Sequence, residues 1–221
     1  MHAAMNLEQA RFNMIEQQIR PWEVLDAHVL HLLSVVRREN FVPGVHKALA
    51  FADMEVPLPA GQCMLAPRVE ARMLQDLAVQ KHEKVLEVGA GSGYMAALLA
   101  HRAQRVVSLE IHPELVALAR ANLQLASVHN AEVRQHDGAH HMPVEAPFDV
   151  IVLSGSVAEV PPGLLQHLRI GGRLGAIVGD EPMMRATFVT RIGESGYRTI
   201  HPWDTVAQRL ENFPQPSRFR F

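Results

Sequence analysis

Residues 85–100 read VLEVGAGSGYMAALLA and place Gly89, Gly91 and Gly93 at alternate positions. Residues 84–88 before them form a short apolar, β-branched run that reads as a strand, and a helix is predicted over 95–102. A backbone that turns from a buried strand into a helix this quickly needs positive φ angles and no Cβ in the way, which glycine provides. The turn is therefore shaped to cradle a ligand, although an ordinary tight strand-to-helix turn would use the same residues. A dinucleotide fingerprint wants its third glycine where the helix packs on the strand. Tyr94 stands there instead, and the acid Glu87 on the strand end would repel an anion. Both features favour a ligand without phosphate groups over a nicotinamide dinucleotide.

The next two strand ends carry acids. Residues 105–110, RVVSLE, end in Glu110, 21 positions after Gly89. A carboxylate at the tip of a second strand is placed to accept two hydrogen bonds from a ribose diol. Residues 131–136 lead to Asp137-Gly138, where Asp137 can accept a hydrogen bond from an adenine amino group. The candidate cofactor set is thus Glu87, Gly89, Ala90, Gly91, Gly93, Glu110, Ile111, Asp137 and Gly138. Ser154-Gly155-Ser156, at the end of a fourth strand, faces the same edge if the sheet is parallel.

The elements that must position these residues follow from periodicity. Residues 7–20 read as an amphipathic helix with Leu7, Met14, Ile15 and Ile19 inward. Pro21 starts a second helix with Leu25, Val29, Leu32, Leu33 and Val36 inward. Residues 40–67 hold four prolines and two glycines with little periodicity. Long irregular segments of this kind are commonly functional. A helix over 69–79 leads into the glycine strand, and strands then alternate with helices: 84–88, helix 95–102, 105–110, helix 113–125, 131–136, 148–154, helix 161–168, 172–178. The alternation predicts an α/β, doubly wound, mostly parallel sheet. Residues 187–192 and 197–203, joined by Gly193-Glu194-Ser195-Gly196, read as a C-terminal antiparallel hairpin.

Composition limits the partners. A chain of 221 residues, 48% hydrophobic, can bury one sizeable core. We expect a single domain over 1–221, with a helical and lid segment over 1–80 and a ligand-binding core over 81–221. A net charge of −2 gives no global attraction to nucleic acid or to an anionic membrane. The absence of a long apolar run and of a signal-peptide core predicts a cytoplasmic protein. The one cysteine, Cys63, excludes an internal disulfide.

Parallel sheet plus terminal hairpin is the arrangement of S-adenosylmethionine-dependent methyltransferases, and the motifs are more specific still. The blocks ENFVP, DMEVPLPAGQ, VLEVGAGSGYMAALLA, VVSLEIHPELVALARANL, HDG, APFDVIVLSG and LRIGGRLGAIVG, in this order from about residue 11 to residue 206, resemble the protein-L-isoaspartate O-methyltransferases. The resemblance implies a seven-stranded, Rossmann-like sheet that binds S-adenosylmethionine. It implies methyl transfer to the carboxylate of isoaspartyl residues in damaged proteins, as a protein-repair reaction. The glycine block bears on the cofactor, and ENFVP and PLPAGQ on the acceptor side.

One departure bears on that acceptor. Where the family reads Gly-Gln-Thr-Ile-Ser, with the serine helping to hold the substrate carboxylate, this chain reads Gly61-Gln62-Cys63-Met64-Leu65. Gln62, Cys63, Leu65 and Ser154 are therefore the acceptor-pocket candidates, with no catalytic residue singled out. Loss of the hydroxyl predicts weakened isoaspartyl turnover. It keeps open a small-molecule or other acceptor, or a protein that binds the cofactor without this activity.

The remaining chemistry-bearing residues receive plainer readings. His136, His140 and His141 lack a carboxylate or cysteine at metal-site spacing and are expected at the surface, so no metal is assigned. Cys63 has no base partner near it in sequence and is expected to be a small packed residue. Asp53 and Glu55 are the acids of the irregular segment, and neither forms a recognisable dyad by spacing.

Overall fold

A computed structural model describes residues 2–215. Seven strands form one sheet in the order β5-β4-β3-β6-β7-β8-β9, where β3 is Lys84–Val88, β4 Arg105–Glu110, β5 Ala131–Gln135, β6 Phe148–Val157, β7 Leu168–Asp180, β8 Met183–Arg191 and β9 Tyr197–Thr205. Strands β5 to β7 pair in parallel, and β8 is antiparallel to both of its neighbours. The expected terminal hairpin is thus β8–β9.

Side chains alternate between two cores, as the period of a strand requires. Val85, Val106, Val133, Val150 and Val152 face one layer. Leu86, Val88, Val107, Leu109, Ile151 and Leu153 face the other. Helices α3 (Pro67–Leu77), α4 (Tyr94–Arg102) and α5 (Pro113–Leu125) cover the first layer, together with the N-terminal helices α1 (His2–Met14) and α2 (Ala27–Val35). The 136–147 segment and the short α6 (Pro162–Leu165) cover the second. The chain leaves β3 toward β4 and leaves β6 toward β7, so the strand order reverses between β3 and β6. A crevice opens at the carboxyl ends of strands at such a point.

Several expected boundaries move. Pro21 lies in a single 3-10 turn, Arg20–Trp22, and Glu23 adopts φ 61, which ends it. The second helix starts only at Ala27, where the Asp26 carboxylate accepts the N–H groups of His28 (2.7 Å) and Val29 (3.3 Å). Leu25 thereby falls outside the helix and is exposed, and Leu7 is exposed as well; the other seven expected inward residues are buried. The helix expected over 161–168 shrinks to one turn because Leu168 already pairs with Phe148, extending β7 backward. β8 begins four residues early, since Asp180 and Met183 pair directly across a two-residue turn. The irregular segment holds 3-10 turns and one small hairpin, β1 (Val56–Pro57) with β2 (Cys63–Met64).

Candidate functional site

The glycine turn, the acids and the irregular segment meet at the reversal point. Gly89 and Gly91 adopt φ +91 and +52. The Gly89 and Ala90 N–H groups donate to Leu109 O, at 2.8 and 3.2 Å, which sews the turn to the end of β4. Next to it the Glu110 carboxylate accepts two backbone donors, Gly91 N–H at 2.8 Å and His112 N–H at 3.0 Å. It is buried, and each of its oxygens accepts one of these two donors.

A crevice at this edge is lined by Gln62, Cys63, Gly89, Gly91, Glu110, Ile111, His112, Asp137, Gly138 and Ser154, and closed by Leu210, Glu211 and Phe213. No lysine or arginine lines it among the described residues. Acids without a cationic side chain beside them suit an uncharged nucleoside better than a pyrophosphate. Asp137 is oriented by Ala139 N–H (2.9 Å), His140 Nδ1 (2.9 Å) and Asn212 Nδ2 (2.8 Å). Despite partial burial, these hydrogen bonds leave its carboxyl below the usual carboxylate range. Gly138 has no room for a side chain: a Cβ there would lie 2.4 Å from Val88 Cγ1.

Behind the glycine turn lies a second, smaller chamber lined by Cys63, Leu65, Glu70, Glu87, Ala90, Tyr94 and Ser154, among others. Glu87 is fully buried; its carboxylate accepts the hydroxyls of Ser108 (2.6 Å) and Ser154 (2.7 Å). Burial pushes its carboxyl up to about 8 against those two hydrogen bonds. Glu70 pairs with the fully buried Arg38, which also donates to Leu65 O at 2.8 Å and stacks over the Tyr94 ring at 4.9 Å. Tyr94 is thus a packing residue between Arg38 and Phe41.

The predicted residues separate into groups. Gly89, Gly91, Glu110, Ile111, Asp137 and Gly138 line the crevice, Glu87 and Ala90 line the inner chamber, and Gly93 lines neither. A Cβ on Gly93 would lie 3.1 Å from Ala119 O, so this glycine lets α4 pack closely on α5. Of the acceptor candidates, Gln62 lies at the crevice, Leu65 in the chamber, and Cys63 and Ser154 border both. Burial and the neighbouring Glu55 carboxylate push the Cys63 thiol up to about 12, so it stays protonated and is no nucleophile. Asp53 pairs with Arg68. His140 is exposed on Asp137, and His136 lines the crevice rim. The sequence reading missed Glu70, His112 and the whole closing segment around Leu210; His112 alone carried a signal, standing two residues beyond Glu110.

The family model for protein-L-isoaspartate(D-aspartate) O-methyltransferase matches residues 9–207. The chain belongs to this family. It is 40% identical over 181 residues to a protein-L-isoaspartate O-methyltransferase of Koribacter versatilis, covering 82% of this chain and 81% of that one. It is 41% identical over 169 residues to that of Methanoculleus marisnigri, covering 76% and 77%. Among solved structures, a protein-L-isoaspartate O-methyltransferase of Plasmodium falciparum in complex with S-adenosyl-L-homocysteine superposes with a TM-score of 0.78 at 19% identity, covering 90% of this chain and 97% of that one. The shared architecture is that of a class I methyltransferase. The match to the family ends at residue 207, so the segment that closes the crevice lies beyond it.

Proposed function

We propose that this chain transfers the methyl group of S-adenosylmethionine to the side-chain carboxylate of isoaspartyl residues in proteins. The observation that carries the reading is the pair Glu110 and Asp137, both oriented by fixed donors at one end of a crevice without cationic side chains, in a chain of this family. Glu110 would take the ribose diol and Asp137 the adenine amino group. Gly89, Gly91 and Gly138 line the crevice without side chains of their own. The cofactor, when bound, supplies an electrophilic methyl on a sulfonium.

The protein's own contribution is position. In-line displacement depends on holding nucleophile and methyl in near-attack contact, which can supply most of the barrier reduction. A carboxylate acceptor, with an ordinary pKa near ~4, is ionised at neutral pH and needs no general base. This agrees with the side chains at the inner edge: Cys63 is held as a thiol, and the Ser154 hydroxyl is committed to Glu87. We place the acceptor mouth at Gln62, Cys63, Leu65 and Ser154, with residues 40–67 as its lid. Asp53 and Glu55 then act as structural acids: Arg68 neutralises the first, and the second accepts Gln208 N–H at 3.1 Å.

The test is methyl incorporation from labelled S-adenosylmethionine into an isoaspartyl peptide and its aspartyl twin. Labelling of the isoaspartyl peptide alone supports the reading. Equal labelling of both, or labelling of neither alongside labelled small molecules from a cell extract, overturns it.

A further inference from the structure

Residues 63–66 carry two of the acceptor candidates, Cys63 and Leu65, and little regular structure holds them. The hairpin they leave pairs over two residues only, Val56 with Met64 and Pro57 with Cys63, outside the main sheet. An isolated two-stranded hairpin is marginal in water. Its exit is fixed from elsewhere: Arg38 Nη2 donates to Leu65 O at 2.8 Å, across 27 positions of the chain.

The same guanidinium makes two further contacts. Its Nη1 pairs with Glu70 in the first turn of α3. Its Cζ lies over the Tyr94 ring, 4.9 Å from the centroid. Tyr94 is the first residue of α4 and follows the glycine turn directly. One fully buried side chain thus joins the end of β2, the helix that follows it and the helix that leaves the cofactor turn. The planar fork of arginine can hold three such groups at fixed separations, which an ammonium on a flexible stem cannot.

Stability alone does not call for this arrangement, because a buried ion pair replaced by apolar residues of similar volume is often as stable or more so. What an apolar pair cannot reproduce is the directed bond to Leu65 O. We propose that Arg38 is a positioning residue for methyl transfer, which sets the separation between Leu65 at the acceptor mouth and the glycine turn ahead of Tyr94. The proposal rests on the cofactor and acceptor reading above. Arg38 itself lines neither the crevice nor the inner chamber. Its loss therefore acts on the rate of the chemical step and not on cofactor binding, since an error of about 1 Å in the placement of reacting groups can cost on the order of a hundredfold.

The experiment compares the full chain as wild type, as Arg38→Lys and as Arg38→Met/Glu70→Leu. Methylation of an isoaspartyl peptide is measured at saturating S-adenosylmethionine, and S-adenosylhomocysteine binding is measured by calorimetry. Rates are expressed per binding site, so that unfolded protein does not count. The double variant is expected to bind S-adenosylhomocysteine with unchanged affinity and to show kcat lower by about ten- to hundredfold, with KM little changed. Arg38→Lys, which keeps the charge but not the fork, is expected to fall between it and the wild type. A wild-type kcat per binding site in the double variant overturns the proposal. So does a loss of S-adenosylhomocysteine affinity that matches the loss of kcat/KM, which would make Arg38 a support of the crevice only. If the double variant shows no binding sites, Arg38→Lys decides: reduced kcat at unchanged affinity supports the proposal, and wild-type kcat overturns it. Failure of the wild type to label the isoaspartyl peptide overturns the acceptor reading itself, and its failure to bind S-adenosylhomocysteine overturns the cofactor reading.

Discussion

The Glu110 carboxylate at the end of β4 accepts the Gly91 N–H at 2.8 Å, so the acid of one strand end and the glycine turn of the next are locked together. The orientation of each depends on the other, and the second Glu110 oxygen is fixed by His112 N–H. Glu110→Ala removes the proposed ribose acceptor and leaves both backbone donors unpaired. Hydrogen bonds to a charged group are each worth about 1.5–3 kcal/mol. We expect S-adenosylhomocysteine affinity to fall by at least that amount, read by calorimetry; an unchanged affinity removes the ribose assignment.

Gly138 and Gly93 separate ligand effects from packing effects. Gly138→Ala drives a Cβ into Val88 at the end of β3 and shifts the adenine side of the crevice, so affinity is expected to fall. Gly93→Ala meets Ala119 of α5 and carries φ +83, so melting temperature is expected to drop with a loss of roughly 1–3 kcal/mol. Ligand affinity of its folded fraction should stay near the wild-type value. Reversal of the two patterns would show that the roles are exchanged.

Glu87 makes stability depend on pH. Its carboxyl, raised from an ordinary carboxylate value to about 8 by burial, binds its proton more tightly in the folded than in the unfolded chain. That contribution is complete below the unfolded value near ~4.5 and is lost as pH rises toward the folded value, at up to about 1.4 kcal/mol per pH unit. Denaturant unfolding between these limits is expected to show the wild type losing stability relative to Glu87→Gln as pH rises. A difference that stays constant with pH contradicts it.

The Arg38–Glu70 pair is buried on both sides. Glu70→Ala leaves a guanidinium without its carboxylate in the core, which typically costs about 3–5 kcal/mol. Arg38→Met/Glu70→Leu, which removes both charges, is expected to recover much of that loss in chemical denaturation. If the double variant is no more stable than the single one, the loss arises from packing and not from the stranded charge.

Leu65 stands where the family's serine is expected, and its side chain is buried against the inner chamber. Leu65→Ser is expected to lower stability by about 2–5 kcal/mol through the lost packing. It is also expected to raise isoaspartyl turnover at saturating cofactor by about tenfold, through the regained hydroxyl. Turnover in the native chain equal to that of the serine variant would show that the hydroxyl has no role here.

The parts of this protein that its sequence determined are those set by neighbours along the chain. Alternating apolar residues in 84–88 and 105–110 can bury both faces only as central strands, and the positive φ at Gly89 and Gly91 was legible because few other residues adopt it at low cost. Acids at strand ends were legible for the same local reason. The ends of elements were less so: Leu25 fits a helical period but lies before the Asp26 cap, and a capping hydrogen bond outweighs periodicity there.

Tertiary structure alone decided what closes the site. Asn212 and Asp137 are 75 positions apart and meet because β6, beside β3, carries the Ser156 bonds that steer the chain back over the crevice. Gly93 looked like its two partners until α5 lay against it, and nothing along the chain singled out Glu70 until Arg38 covered it. Side chains distant in sequence interact through positions set by the whole sheet, and no local pattern encodes the coincidence of two such positions. The chemistry at the strand ends was therefore readable residue by residue, whereas its enclosure follows from the packing of the complete fold.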